Sequence, residues 1–416
     1  MKNYSFSLDR QSGSFIDWKL IVIVLCLLFG GMLSLYSATT ASNIDDAFNR
    51  QLMSIGLGVV AATVITFIPK NMMRNLSLII YISSIVLLVS VLLFGDVVYG
   101  TKGWLRFGGF SLQPAEFAKF GLICMLAYYL SSKGIAVSNI RDFLIASTFL
   151  LLPFGLIFLQ PDHGTSSVLL AIFLGILFWT GFNKFFLFFT VSLPFIIILS
   201  LKGTIFMLSG MAIFTIATLL FRSSGWISKG IVICVFVGIA YVSPLIYDSL
   251  LDHQKARIET FLNPGSDPRG QGYNVIQSMM AVGSGGISGK GFLQGTQTQL
   301  RYIPMQWTDF IYSVPTEEFG FIGGSLILLF FGLLLFRTIS IAHEADDKFY
   351  SVAVFGIATL FFYHTVINIG MVIGLVPVMG IPLPFLSYGG TSMIVNLTMI
   401  GFLLNAYRNH RRKRLL

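Results

Sequence analysis

Residues 16–37 read IDWKLIVIVLCLLFGGMLSLYS, with no charge after Lys19. That is close to the ~20 predominantly apolar residues a helix needs to cross a bilayer core. Working outward, runs of the same kind recur near 50–68, 75–95, 113–131, 141–159, 166–182, 184–201, 205–221, 229–247, 319–340, 350–374 and 391–407. Those between 166 and 221 are short and nearly abut. Hydrocarbon offers a backbone amide no water, and these runs are continuous where barrel strands would alternate, so they read as helices. The whole chain is 55% hydrophobic and 11% charged, with a mean hydropathy of +0.82; soluble domains carry about 25% charged residues. The expected fold is an all-α integral membrane protein, a polytopic bundle of about twelve transmembrane helices forming one domain over 1–416.

One stretch, 251–318, resists this pattern. It carries Asp252, Lys255, Arg257, Glu259, Asp267, Arg269, Lys290, Arg301, Asp309, Glu317 and Glu318 among glycines and prolines, just before the last three apolar runs. Lysines and arginines near the span ends set its side. With twelve spans, Lys2, Arg10, Lys19, Lys70, Arg74, Lys133, Arg141, Lys184, Arg222, Lys229, Arg337, Lys348 and the tail Arg408–Arg414 all share one face. Both termini are then cytoplasmic and 251–318 is a large extracytoplasmic loop. The net charge of +9 reads as this topological signal and contact with anionic membrane lipids, not nucleic acid. No cleavable signal peptide is expected, because the first run is long enough to span and lacks a clear small-residue cleavage site. Cys26, Cys124 and Cys234 fall inside apolar runs and read as packing residues. The histidines show no metal-ligand spacing; His163, beside Asp162, reads as an interface residue rather than a ligand.

Polar groups at the outer face are where chemistry is expected. Pro114 suits a first helical turn, so Glu116 and Lys119 form an i,i+3 pair about a turn inside the membrane. Charges there cost ~2.5–3.5 kcal/mol at the centre of a span and usually face a polar cavity; a structural ion pair between helices is the other reading. Asp162 breaks two apolar runs and can cap the second through its carboxylate or act in chemistry. Asp267 sits in Asn263-Pro264-Gly265-Ser266-Asp267-Pro268-Arg269-Gly270, either as an Asx-turn residue or a carboxylate held on a stiff scaffold. The glycine-rich 283–291 has no Walker spacing and is a weak phosphate-loop signal. Residues 382–391, PLPFLSYGGT, break the entry to the last run. Gly370 and Gly374 permit close helix approach, to a partner or internally.

Together these blocks resemble the SEDS family (shape, elongation, division and sporulation), membrane glycosyltransferases of peptidoglycan synthesis. The resemblance is carried in order by Leu105-Arg106-Phe107-Gly108, Gln113 to Lys119, Gln160-Pro161-Asp162, Asp267 to Gln277-Ser278, Gly283 to Gly286 and Gly289-Lys290-Gly291. It continues through Gln294-Gly295-Thr296-Gln297, Thr308-Asp309-Phe310-Ile311, Glu317-Glu318, Gly370-Met371-Val372 and Pro382 to Gly390, which includes Ser387. The Gln294–Gln297 block is similar to the elongation branch rather than the division branch. Two departures stand out. Members usually have ten helices, seven before the large loop, whereas nine precede it here, the excess lying around 184–228. Relatives carry Glu-x-His before the Thr-Asp-Phe block; Met305-Gln306-Trp307 stands there instead.

The resemblance implies polymerisation of lipid II onto a growing glycan strand, with release of undecaprenyl diphosphate. A diphosphate leaves well, so one basic carboxylate suffices, and the family's essential loop aspartate corresponds to Asp267. Arg106, Lys119, Arg269 and Lys290 are implied contacts for the diphosphate or headgroup, with Glu116, Asp162, Gln277, Gln297, Asp309 and Ser387 lining the substrate site. No resident metal is implied, although Mg2+ or Mn2+ could accompany the diphosphate. The implied partner is a class B penicillin-binding protein, a transpeptidase, and the implied location is the bacterial inner membrane. Two other classes fit less well. A lipid II flippase would place its polar residues at the midplane and show inverted repeats, and a scaffold leaves the Glu116–Lys119 pair without purpose. The orientation is testable: a cysteine introduced at position 267 should react with an impermeant maleimide in intact cells and one at 412 should not. The reverse pattern would overturn both the topology and the site.

Overall fold

The computed structural model describes residues 15–40, 45–98, 101–107, 110–222, 225–249, 255, 259, 261–263, 265, 272–304 and 306–415. In chain order its elements are α1 (Trp18–Thr40), α2 (Asp45–Phe67), α3 (Lys70–Phe94), β1 (Asp96–Val98), β2 (Thr101–Phe107), β3 (Phe110–Leu112), α4 (Pro114–Leu130), α5 (Ile140–Phe158) and α6 (His163–Trp179). There follow α7 (Lys184–Leu201), α8 (Thr204–Leu220), α9 (Trp226–Ser249), α10 (Tyr273–Ser284), α11 (Thr296–Gln299), α12 (Ser313–Glu318), α13 (Gly320–Glu344), α14 (Lys348–Val372) and α15 (Gly390–Leu415).

Every apolar run coincides with one long helix, and the protein is a helical membrane bundle. Among the described residues nine helices are long and apolar enough to cross a membrane. The other three, α4, α6 and α8, have 17 residues each, short of the ~20 that span unaided. Between α3 and α4 the described residues 96–98, 101–107 and 110–112 form a three-stranded antiparallel meander in the order β1-β2-β3, pairing Leu105 with Leu112 and Arg106 with Ser111. Backbone pairing there satisfies amides just before α4 enters the bundle.

The centre is built from α4, α14 and α15. Fourteen of the seventeen α4 residues are buried, including Glu116 and Lys119, and α4 packs against α3, α5, α6, α14 and α15. A helix apolar nearly all round is a helix surrounded by protein. α15 lies most closely along α2, where Gly58 and Gly401 remove the side chains that would hold the helices apart: a Cβ on Gly401 would collide with the backbone of Ala62. By contrast, α7, α8 and α9 pack mainly on one another around Phe185, Ile196, Val232, Phe236 and Ala240, and meet the rest through α6 and through Phe143 of α5 against Phe186. Gly370 packs on Val376 and Gly374 on Met279, so both glycines serve internal contacts.

The α2–α15 contact predicts that Gly401→Val lowers thermal stability in detergent by about 1–3 kcal/mol, the usual cost of overpacking. Gly332→Val, at a position with open space around it, should be near neutral. Equal effects would show that the close approach is not what Gly401 provides.

Candidate active site

In the first two turns of α4, Lys119 Nζ lies 2.7 Å from Glu116 Oε1, with both side chains almost fully buried. The same ammonium is 3.4 Å from Nε2 of His364 on α14, whose Nδ1 is 2.9 Å from the carbonyl oxygen of Pro382. A carbonyl only accepts, so Nδ1 carries the proton and Nε2 is left to accept from Lys119. The i,i+3 reading therefore holds, and the ion pair has a third member that sequence spacing does not show. Removing one partner of such a buried pair costs about 3–5 kcal/mol, because the other charge stays desolvated.

Through Pro382 this cluster reaches the broken segment before α15. Asn368 of α14 donates from Nδ2 to the carbonyls of Ile381 and Asp309, both at 2.8 Å. Ser387 donates to Thr308 O at 2.6 Å and accepts from Leu383 N–H at 2.8 Å, and Tyr388 N–H donates to Trp307 O. Gln51 of α2 brackets the turn, donating to Ser387 O and accepting from Gly389 N–H. Thr391 accepts from Gln113 N–H and donates to Ser111 O, tying α15 to the meander and α4. Phe385 is held at φ +65 between the backbone of Gly31 and the ring of Phe361, a left-handed conformation kept only where packing over-determines it.

Asp162 caps α6: one carboxylate oxygen accepts from Thr165 N–H at 2.9 Å and the other from the Thr165 hydroxyl at 2.8 Å. Asp309 is its electrostatic neighbour. Burial first, then repulsion from Asp162, pushes the Asp309 carboxyl up to about 6, so near neutral pH it exchanges a proton more readily than an ordinary aspartate. His163 stacks edge-on against Phe158 and takes no part in this cluster; His364 is the histidine at the site.

The glycine-rich stretch is a packing device. Lys290 N–H and Gly291 N–H donate to the carbonyls of Glu317 and Glu318, and a Cβ on Gly285 or Gly289 would collide with the backbone of α12. Those amides are committed to protein carbonyls and not free for a phosphate. Glu317 is fully buried and accepts from Lys290 Nζ (2.7 Å), Gln297 N–H (2.8 Å), Thr298 N–H (2.9 Å) and the Thr298 hydroxyl (2.8 Å). Burial alone would raise its pKa, but these donors outweigh it and hold Glu317 below the usual range. Glu318 goes the other way, raised by burial against the Ser37 hydroxyl, Gln299 and Leu293 N–H.

The structure thus brings Glu116, Lys119, Asp162, Asp309 and Ser387 into one connected end of the bundle. Gln297 supplies an amide to Glu317. Lys290 also donates to the hydroxyls of Ser284 and Thr296, so its ammonium is held within its own loop. Arg106 lies on β2, more than half exposed and 3.7 Å from Asp96. Gln277 is half-buried on α10. Asp267 and Arg269 lie outside the described residues. Gln306, between Met305 and Trp307, is buried and donates to the carbonyls of Ala38 and Thr298. His364, Asn368 and Gln51 were not singled out in the sequence; a polar residue inside an otherwise apolar span was the available signal.

A family model described as cell cycle protein, for FtsW, RodA and SpoVE, matches this chain over residues 17–211 and 202–412. The two pieces overlap over 202–211, at the start of α8. Stage V sporulation protein E of Bacillus subtilis is 36% identical over 404 residues, covering 95% of this chain and 98% of that protein. The peptidoglycan glycosyltransferase RodA of Treponema pallidum is 33% identical, covering 94% and 96%. A solved chain described under the structural coordination of polymerization and crosslinking by a peptidoglycan synthase complex superposes with a TM-score of 0.71 at 28% identity, covering 95% of this chain and 98% of that one. The rod shape determining protein RodA of Thermus thermophilus shares the fold, with a TM-score of 0.62 at 24% identity over 95% of this chain and 97% of that one.

The raised pKa of Asp309 has a consequence for stability. The folded state favours the neutral acid, so the contribution is complete below about pH 4 and is lost as pH rises through about 6. Asp309→Asn, which mimics the neutral acid, should flatten that part of the melting-temperature profile in detergent. An unchanged slope would place its source elsewhere.

Proposed function

This chain belongs to the SEDS family of FtsW, RodA and SpoVE proteins and is a peptidoglycan glycosyltransferase of the bacterial inner membrane; on that premise we propose that it polymerises lipid II for cell elongation. In this reading the 4-hydroxyl of an acceptor GlcNAc attacks C1 of the MurNAc at the reducing end of the growing strand. Undecaprenyl diphosphate leaves with inversion at that carbon. The observation that carries the proposal is the buried Glu116–Lys119–His364 cluster stitched to the broken segment 381–389. Charge this deep in a bundle is retained where an amphiphile must bring an anionic headgroup to the edge of the hydrocarbon.

Asp267 is assigned as the general base that takes the hydroxyl proton. Arg106 and Arg269 are assigned to the diphosphate; Lys119 and Lys290, each balanced by a buried carboxylate, are assigned to the surroundings of the headgroup, with Glu116 holding Lys119. Asp162, Gln277, Gln297, Asp309 and Ser387 shape the same site. A Mg2+ or Mn2+ ion, where one accompanies the diphosphate, would be held by the oxygens of the diphosphate itself. The insertion of two helices is placed around 184–228, within the part of the chain that packs as the α7–α9 unit, and an insertion of two preserves the sidedness of the loop. Both termini are then cytoplasmic, the site is extracytoplasmic, and a class B penicillin-binding protein crosslinks the strands.

Asp267→Asn removes the base while keeping size, so the purified variant should fold and bind lipid II yet polymerise it about 10²–10⁴-fold more slowly. Asp162→Asn removes a cap worth ~1 kcal/mol and should lower yield more than specific activity. Wild-type polymerisation by Asp267→Asn would remove it as the base. Glycan strands made by the wild type in detergent, with no second compartment, would exclude the flippase reading.

A further inference from the structure

At the opposite end of α4, α6 and α14 from Glu116, Asp162 and His364, a cavity of about 110 Å³ opens between the α4–α5 turn, the α6–α7 turn and the start of α14. That volume exceeds the few tens of cubic ångströms of one water. Val137, Ser138, Thr180, Gly181 and Lys348 are among its lining residues, and none of the lining residues is acidic. Asn139 N–H closes a turn onto Ala136 O. This leaves the amides of Val137 and Ser138, and the Ser138 hydroxyl, without a hydrogen-bond partner among the described residues.

The nearby carboxylates are all committed elsewhere. Asp347 lies 2.5 Å from Lys70, and Asp346 lies 3.3 Å from the His410 ring. Asp142 is buried, accepting from Ala136 N–H and the Tyr129 hydroxyl. Lys348 therefore forms no ion pair among the described residues. Lys133, Arg141 and Lys184, all exposed, lie within three residues of the lining.

We infer that this cavity binds the phosphate of an anionic phospholipid headgroup. A cationic, donor-rich hollow with no facing carboxylate selects an anion. Two further features point to a lipid rather than a free ion. Trp179, stacked on Phe355 at 4.3 Å and donating to Ser351, marks the headgroup level where such side chains collect. Beside the cavity Ile140 and Phe178 are 69% and 51% exposed, an apolar surface for acyl chains. On the orientation read from basic residues, the lipid belongs to the cytoplasmic leaflet.

The test compares retention of phosphatidylglycerol by the full chain in phosphatidylcholine nanodiscs, read by native mass spectrometry. Lys348→Gln should weaken retention about fivefold, the size of one lysine–anionic lipid contact, and Ser138→Ala by less. Lys202→Gln, on the distant α7–α8 turn, should change nothing. Retention by Lys348→Gln equal to wild type overturns the proposal. So does displacement of the lipid by inorganic phosphate at comparable concentration, which would make this a site for a free anion. If Lys348→Gln fails to fold in phosphatidylcholine alone, Lys348→Arg and Ser138→Ala decide: lipid kept by the first and weakened by the second supports the site, and any other pattern removes it.

Discussion

Burial in protein strips the water from a carboxylate, and the architecture follows from how this chain answers that constraint three times. Glu116 is neutralised by Lys119 within one helical turn. Glu317 is neutralised by Lys290 and by backbone and hydroxyl donors from 297–298. Glu318 has one carboxylate oxygen accepting from the Ser37 hydroxyl and Leu293 N–H while the other has no partner among the described residues, and burial holds its carboxyl above the usual range. Each solution requires a particular neighbour, so α4 must be enclosed, α12 must pack beneath 285–300, and α1 must bring Ser37 to Glu318.

The irregular parts of the site are consequently rigid. Residues 381–389 and 307–309 have no regular secondary structure to satisfy their amides and carbonyls, yet His364, Asn368, Gln51 and Ser387 bind them from neighbouring elements. Irregular backbone is stable when buried only if its amides and carbonyls are paired in this way. Side chains from α2 and α14 thus hold both segments in fixed relation to α4.

Much of this was legible in the sequence because its signals are local. Continuous apolar runs give helices, a spacing of three puts Glu116 beside Lys119, and Asp162 before an apolar run gives a cap. What escaped is non-local or weakly patterned. His364 is 245 residues from Lys119, and no periodicity links them. The meander at 96–112 rests on strands of three, seven and three residues, too short to alternate visibly. Lys290 reads as a free cation until the fold brings Glu317 against it. Seventeen-residue helices are visible as apolar runs, but hydropathy alone does not decide whether each crosses unaided.

The ion pairs also constrain how an anionic headgroup would be met. Of the cations implied as its contacts, Lys119 has its charge balanced by Glu116, and Lys290 has its charge balanced by Glu317. Arg106 differs: its partner Asp96 is 3.7 Å away and both are more than half exposed, a geometry worth little in water and readily exchanged. A diphosphate can therefore compete for Arg106 without leaving a buried carboxylate alone, whereas drawing Lys119 or Lys290 away would strand Glu116 or Glu317. Electrostatic capture belongs to the exposed ribbon, and the buried pairs orient the segments around which the headgroup must fit.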